Sequence, residues 1–136
     1  MTLSVCGHNG TQNYVKMLQY SSGQWETTEQ ILKKVTDKIY QHEILLGGRT
    51  LVIGKKVIYV LEDYDLVRTI DLGENNLTIS SVMKIPRGLV VRMSNDSLKL
   101  LVDDSDEISF LVAGTIHLDL NQDEKIQCLC VSHNGE

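Results

Sequence analysis

The stretch "GKKVIYVLEDYDLVRTIDL" (residues 54–72) sets two short apolar runs on either side of Glu62, Asp63, Tyr64 and Asp65. Some forty residues on, "NDSLKLLVDDSDEISFLVAG" (95–114) has the same rhythm. Working outward from the first stretch, Gly54-Lys55-Lys56 reads as a turn between Thr50–Ile53 and Val57–Glu62. Asp63-Tyr64-Asp65 reads as the next turn, before Leu66–Leu72. Upstream, Gly47-Gly48 separates Tyr40–Leu46 from this set, because paired glycines supply the positive φ that tight turns need. These are four short β-rich runs joined by short turns.

The following segment repeats the plan. Leu77–Ile85 runs to Pro86-Arg87-Gly88, and Leu89–Met93 runs to Ser94-Asn95-Asp96-Ser97. Leu98–Val102 then meets Asp103–Glu107, and Ile108–Ala113 closes the set. Val, Ile and Leu fill the runs while Gly, Asn, Asp and Ser fill the gaps, the pattern of antiparallel hairpins. In the first forty residues Leu3–Cys6, Tyr14–Tyr20 and Trp25–Leu32 read as strands, with turns at Gly7–Asn13 and Ser21–Gln24. Ile31, Leu32, Val35 and Ile39 also fall at helical spacing behind Thr28. We read a strand ending near Leu32 and then a loop; a helix here would make the chain an α+β module.

Aligned by their third runs, the units read Val15-Lys16-Met17-Leu18, Ile58-Tyr59-Val60-Leu61 and Leu98-Lys99-Leu100-Leu101. Leu18, Leu61 and Leu101 recur at intervals of 43 and 40 residues. Four strands per unit at a period of about 40–45 residues is the pattern of propeller blades. Ile126–Ser132, followed by His133-Asn134-Gly135, reads as the first strand and turn of one more blade.

On these features the chain resembles the WD-repeat β-propeller family over nearly its whole length. "SNDSLKLLVDD" and "GKKVIYVLED" resemble that family's third strand with its preceding turn, and "IQCLCVSHNGE" resembles its first strand. Where the family ends its third strand on Trp-Asp, this chain has Leu18-Gln19, Leu61-Glu62 and Leu101-Val102. No Gly-His pair precedes a first strand, and Gly7-His8 falls elsewhere in the repeat. The family's buried Asp–His network is therefore not carried over.

The expected fold is all-β: a propeller-like array of four-stranded antiparallel blades, about three blades' worth. Blade-like units fall at about 1–35, 36–75 and 76–120, with the start of another at 121–136. Propellers close with about four to eight blades, so unpaired edges are expected at Leu3–Cys6 and Ile126–Ser132. The remaining blades would come from the rest of a longer chain, from other protein subunits, or from a homodimer closing a six-bladed ring.

Composition narrows the function classes. With 42% hydrophobic residues the chain can build a core, and with 5% aromatics Val, Leu and Ile must fill it. A net charge of −5 argues against a general nucleic-acid binder, which needs clustered Lys and Arg. No apolar run approaches the ~20 residues of a membrane span, and no signal-peptide pattern opens the chain. Three cysteines do not suggest a disulfide framework. An intracellular protein, cytoplasmic or nuclear, is the expectation, and sequons such as Asn9-Gly10-Thr11 are read as turns.

Chemistry-bearing residues are scattered. Cys128 and Cys130, with His133 nearby, lack the chelating pairs of a zinc site, and on a strand they would share the core face with Ile126. Asp103, Asp104, Asp106 and Glu107 form the densest acidic cluster, without the mid-loop Gly of a calcium loop. Cys6-x-His8, His42-Glu43 and His117-x-Asp119 have no evident nucleophile partner, and "LLGGRT" lacks the spacing and Lys of a P-loop. No cofactor, metal or enzyme class is expected. A small metal-dependent or acid/base enzyme is the alternative, as is weak RNA or DNA contact through Lys33, Lys34, Lys55 and Lys56.

Charge over the turns is more informative. Third-to-fourth-strand turns, at one end of a blade, hold Asp63, Asp65, Asp103, Asp104, Asp106 and Glu107. The opposite end gathers Lys33, Lys34, Lys38, Lys55 and Lys56. One acidic and one basic end would suit docking to other proteins, because complementary charge speeds and orients encounter. The functional expectation is a non-catalytic protein–protein interaction module, part of a scaffold or regulatory subunit in a multi-subunit complex.

Overall fold

The computed structural model describes residues 2–44, 49–74, 76–103 and 110–130. Among them the chain is all-β, with eleven strands in three antiparallel sheets and no helix. Sheet 1 is β1 (Thr2–His8), β2 (Asn13–Ser21) and β3 (Gln24–Leu32) in that order. Sheet 2 is β4 (Gln41–Ile44), β5 (Arg49–Ile53), β6 (Val57–Glu62) and β7 (Asp65–Asp71). Sheet 3 is β8 (Ile79–Ile85), β9 (Gly88–Met93), β10 (Leu98–Asp103) and β11 (Phe110–Ile116). Spatial order follows chain order in every sheet, so each is a meander of hairpins.

The hairpins form where the sequence offers turn chemistry. Ser22 and Gly23, at φ 53° and 79°, make the two-residue link from β2 to β3. Both central residues at positive φ is the type I′ geometry, whose twist matches that of the flanking strands. At the β1–β2 corner the Asn9 side chain accepts from the Thr11 and Gln12 amides at 2.9 and 2.8 Å. Pro86 presets the β8–β9 turn, with Arg87 at φ 60°. The Gly47-Gly48 turn expected between β4 and β5 lies outside the described residues.

The chain divides into two compact units, Met1–Thr69 and Ile70–Glu136. In the first, the inner faces of sheets 1 and 2 meet. Val15 and Leu32 from sheet 1 pack with Val52, Tyr59 and Leu61 from sheet 2 and Val35 from the link between them. Cys6, Met17, Ile39, Val57, Tyr64 and Leu66 border this cluster. Strand period explains the set, since Val15 and Met17 share one face of β2, and Tyr59 and Leu61 one face of β6. The other face of sheet 2 is apolar as well: Leu51, Ile53, Ile58 and Val60 are all buried. In the second unit, Val82, Leu89, Val91, Met93 and Leu101 line one buried face of sheet 3.

Residues 28–40 resolve as expected into a strand ending at Leu32 and a non-helical link. The expected strand Ile126–Ser132 is not formed over 126–130, and the rest of it lies outside the described residues. The main chain of Ile126 is engaged elsewhere. Its carbonyl accepts from Arg92 Nη1 at 2.6 Å, and its amide donates to Asp96 Oδ2 at 3.3 Å. Those side chains hold the groups a strand ladder would use.

Asn13 fixes the link that follows sheet 1. Buried at the start of β2, it donates through Nδ2 to the carbonyls of Val35 and Asp37, each at 2.7 Å. Replacing it by Ala would leave the Val35 carbonyl and the part-buried Asp37 carbonyl short of a donor but would also remove the buried, unpartnered Oδ1, a net cost of about 1–3 kcal/mol. Asn13→Ala should lower the urea midpoint accordingly with an unchanged m-value. Asn13→Asp keeps the shape but cannot donate, and should be at least as damaging above its carboxyl pKa. A midpoint unmoved in both variants would remove this role.

Candidate functional site

β3 and β6 end side by side in the first unit, and between their ends lies a concavity of about 260 Å³. One wall is Gln30–Val35, with Lys33 and Lys34 at the turn leaving β3. The other is Leu61 and the β6–β7 hairpin, with Asp63, Tyr64 and Asp65. The first wall is held by Asn13 and by the hydroxyl of Tyr59, which donates to Asp37 Oδ2. The second is a type I′ turn with Asp63 and Tyr64 at φ 47° and 68°. Asp tolerates left-handed backbone, but Tyr rarely adopts it. Tyr64 keeps it because its side chain packs against the core cluster of this unit.

Lys33, Lys34, Asp63 and Asp65 are all exposed. Among the described residues no ion pair joins any of the four, so charges of both signs line one recess unneutralised by each other. For Lys33 and Lys34 this corrects the expected separation of a basic end from an acidic one. The turn that follows β3 falls beside the end of β6, so Lys33 and Lys34 join the acidic hairpin. Lys55 and Lys56 do sit at the other end of β6, on the β5–β6 hairpin, closed by the Gly54 amide donating to Val57 O at 2.8 Å. Lys38 lies over the Tyr40 ring, 5.3 Å from its centroid. Asp103 ends β10, and Asp104, Asp106 and Glu107 lie outside the described residues.

The cysteines do not assemble a site. Cys6 is half-buried and free, and burial pushes its thiol pKa up, against the thiolate form that metals and nucleophilic chemistry require. Cys128 and Cys130 are exposed, not core residues as their alternation suggests, because residues 126–130 form no strand. Among the described residues no group of three or more metal-ligating side chains converges. No helix among them is long and apolar enough to cross a membrane.

Two contacts were not visible in the sequence. Lys99 is buried on β10, with Nζ 3.9 Å from Glu74 Oε2. His42 on β4 meets Ser4 on β1, Nε2 to Oγ at 2.9 Å, across thirty-eight residues of chain. A serine–histidine contact invites a nucleophilic reading, but no described carboxylate is bonded to the other ring nitrogen and the pair does not line the recess between β3 and β6. It acts as a polar clamp between the edge strands of sheets 1 and 2.

Partial burial holds the His42 pKa below its ordinary 6.5, opposed by the nearby Glu43 carboxylate. Unfolded, the ring takes a proton near pH 6.5; folded, it resists until a lower pH. Between those values the unfolded chain binds more protons, so stability falls as pH drops through the window and levels off below it. Thermal melts should show this decline on going from pH 7.5 to 5, and His42→Gln should flatten it. An identical slope in the variant would assign the decline to other groups.

No protein-family model matches this chain, and no curated protein sequence does.

Proposed function

We propose that this chain is a non-catalytic protein–protein interaction module, a propeller-like stack of antiparallel blades within a scaffold or regulatory assembly. The observation that carries the reading is the concavity between β3 and β6, where Lys33, Lys34, Asp63 and Asp65 stand exposed and not paired with one another. A partner presenting the complementary pattern, acidic toward the lysines and basic toward the aspartates, would be oriented as well as attracted. Nothing in the recess activates a nucleophile or gathers metal ligands, so recognition is its natural use.

Blade-like architecture is supported by three sequential meanders at a spacing near forty residues and by a sheet 2 that is apolar and buried on both faces. Sheets that stack in series need that two-sided pattern. Since three blades are fewer than a ring requires, the rest would be supplied by other subunits or by the remainder of a longer chain.

Exposed ion pairs contribute about 0.2–1 kcal/mol each, so each double reversal should weaken docking by roughly 2–30-fold. The test is capture of partners from native extract by the tagged chain, then titration of the recovered protein against purified wild type and variants. Lys33→Glu with Lys34→Glu, and separately Asp63→Lys with Asp65→Lys, should each lose a defined partner. Lys55→Glu with Lys56→Glu, at the far hairpin, should not. Binding indifferent to all three pairs would overturn the site. Stoichiometric bound metal that disappears in Asp103→Ala or Cys130→Ala would favour an enzyme instead.

A further inference from the structure

Sheet 1 has a second face, and it is the more apolar one. Leu3, Val5, Tyr20 and Trp25 on it are 48%, 48%, 50% and 48% exposed, with Leu18 and Ile31 half-buried beside them. The rings of Tyr20 and Trp25 pair across β2 and β3, centroids 5.2 Å apart. Single exposed apolar residues need no explanation, but a contiguous aromatic and aliphatic sheet face does. Sheet 2 shows what the same chain does with two apolar faces, since both of its own are buried.

The charges on this face say what covers it. It carries only two, Lys16 on β2 and Glu29 on β3, and the register sets them directly opposite each other. They are not ion-paired; Lys16 Nζ lies over the Tyr14 ring, 4.9 Å from its centroid. A twofold axis parallel to the strands and midway between β2 and β3 exchanges those two positions. It lays Lys16 of each copy over Glu29 of the other, and each Tyr20 over the other Trp25. The face is thus complementary in charge to itself, as an isologous interface requires.

We infer that the outer face of sheet 1 is a homodimer interface, packing sheet 1 of one copy on sheet 1 of a second. With that axis β2 and β3 of each copy lie over β3 and β2 of the other and β1 flanks them, so two facing strands about 4.8 Å apart and some 25 Å long cover roughly 240 Å² a side. Stable interfaces bury about 800 Å² per partner, so this dimer is a weak, concentration-dependent one. The inference uses residues apart from the charged recess and does not depend on it.

The test is sedimentation equilibrium of the 136-residue chain from about 5 to 500 µM, with emission of its single tryptophan, Trp25, recorded in parallel. A monomer–dimer equilibrium should appear, with the emission shifting to the blue as dimer forms. Lys16→Glu, or Glu29→Lys on the exposed edge strand, should each loosen association by about tenfold or more, because each sets like charges against one another. The double exchange should restore it to within about threefold. Circular dichroism melts check that each variant folds, and Glu29→Lys serves if Lys16→Glu does not. A monomer at the highest concentration with constant, red-shifted Trp25 emission would overturn the interface. So would a dimer indifferent to both reversals. Either failure leaves the recess reading standing, since partner capture there reads different residues.

Discussion

A strand that is apolar on both faces must be covered twice, and β6 is such a strand. Ile58, Tyr59, Val60 and Leu61 are buried in succession, alternating between the two faces of sheet 2. No single neighbour can satisfy that pattern, because successive side chains point to opposite sides. Sheet 1 supplies one cover through Val15 and Leu32. That contact fixes where β3 must end relative to β6, and therefore where the link after β3 passes the β6–β7 hairpin. The charged recess is a by-product of this docking. Its walls are the two strand ends that the core brings level.

Polar contacts then set what apolar packing leaves loose. Asn13 reaches across the end of sheet 1 to hold two carbonyls of the link, and Tyr59 ties Asp37 from the sheet 2 side. Both act on the stretch that follows Lys33 and Lys34. A buried carboxamide is costly unless satisfied, so its use here buys orientation more than cohesion. At the opposite wall the hairpin bears left-handed backbone at Tyr64 because the same ring contributes to the core. The two walls are anchored by residues that also stabilise the unit.

Strand positions were legible because period and turn chemistry are local. Val57–Glu62 between a Gly-Lys-Lys corner and an Asp-Tyr corner could be little else, and β6 occupies those residues. Residues 28–40 carried both a helical spacing and a strand-like composition, and the strand prevailed because β3 pairs along its full length with β2. The strand expected at Ile126–Ser132 is absent over 126–130 for the converse reason: its alternation is strand-like, but Arg92 and Asp96 take the backbone groups of Ile126. No local signal marks that capture. The meeting of Lys33 and Lys34 with Asp63 and Asp65, and of Ser4 with His42, depends on how one sheet lies on the next. Hydrophobic period announces that a face is covered but not at what offset, so charges assigned to opposite ends of an ideal blade met in one place.

The meander order of each sheet bears on how the chain reaches its fold. Every strand pairs only with its sequence neighbours, so ladder contacts within a sheet close short loops. Loop closure is then cheap, and low contact order favours fast formation despite the all-β composition. A sheet can assemble once its own hairpins have been synthesised, without waiting for distant segments. The contacts between sheets 1 and 2 come later, because they join residues such as Val15 and Leu61. Until then the inner face of sheet 1 is as bare as its outer one, and β1 offers an uncharged edge from Thr2 to Gly7. The hazard during synthesis is therefore greatest while a completed first sheet has no second sheet to lie against.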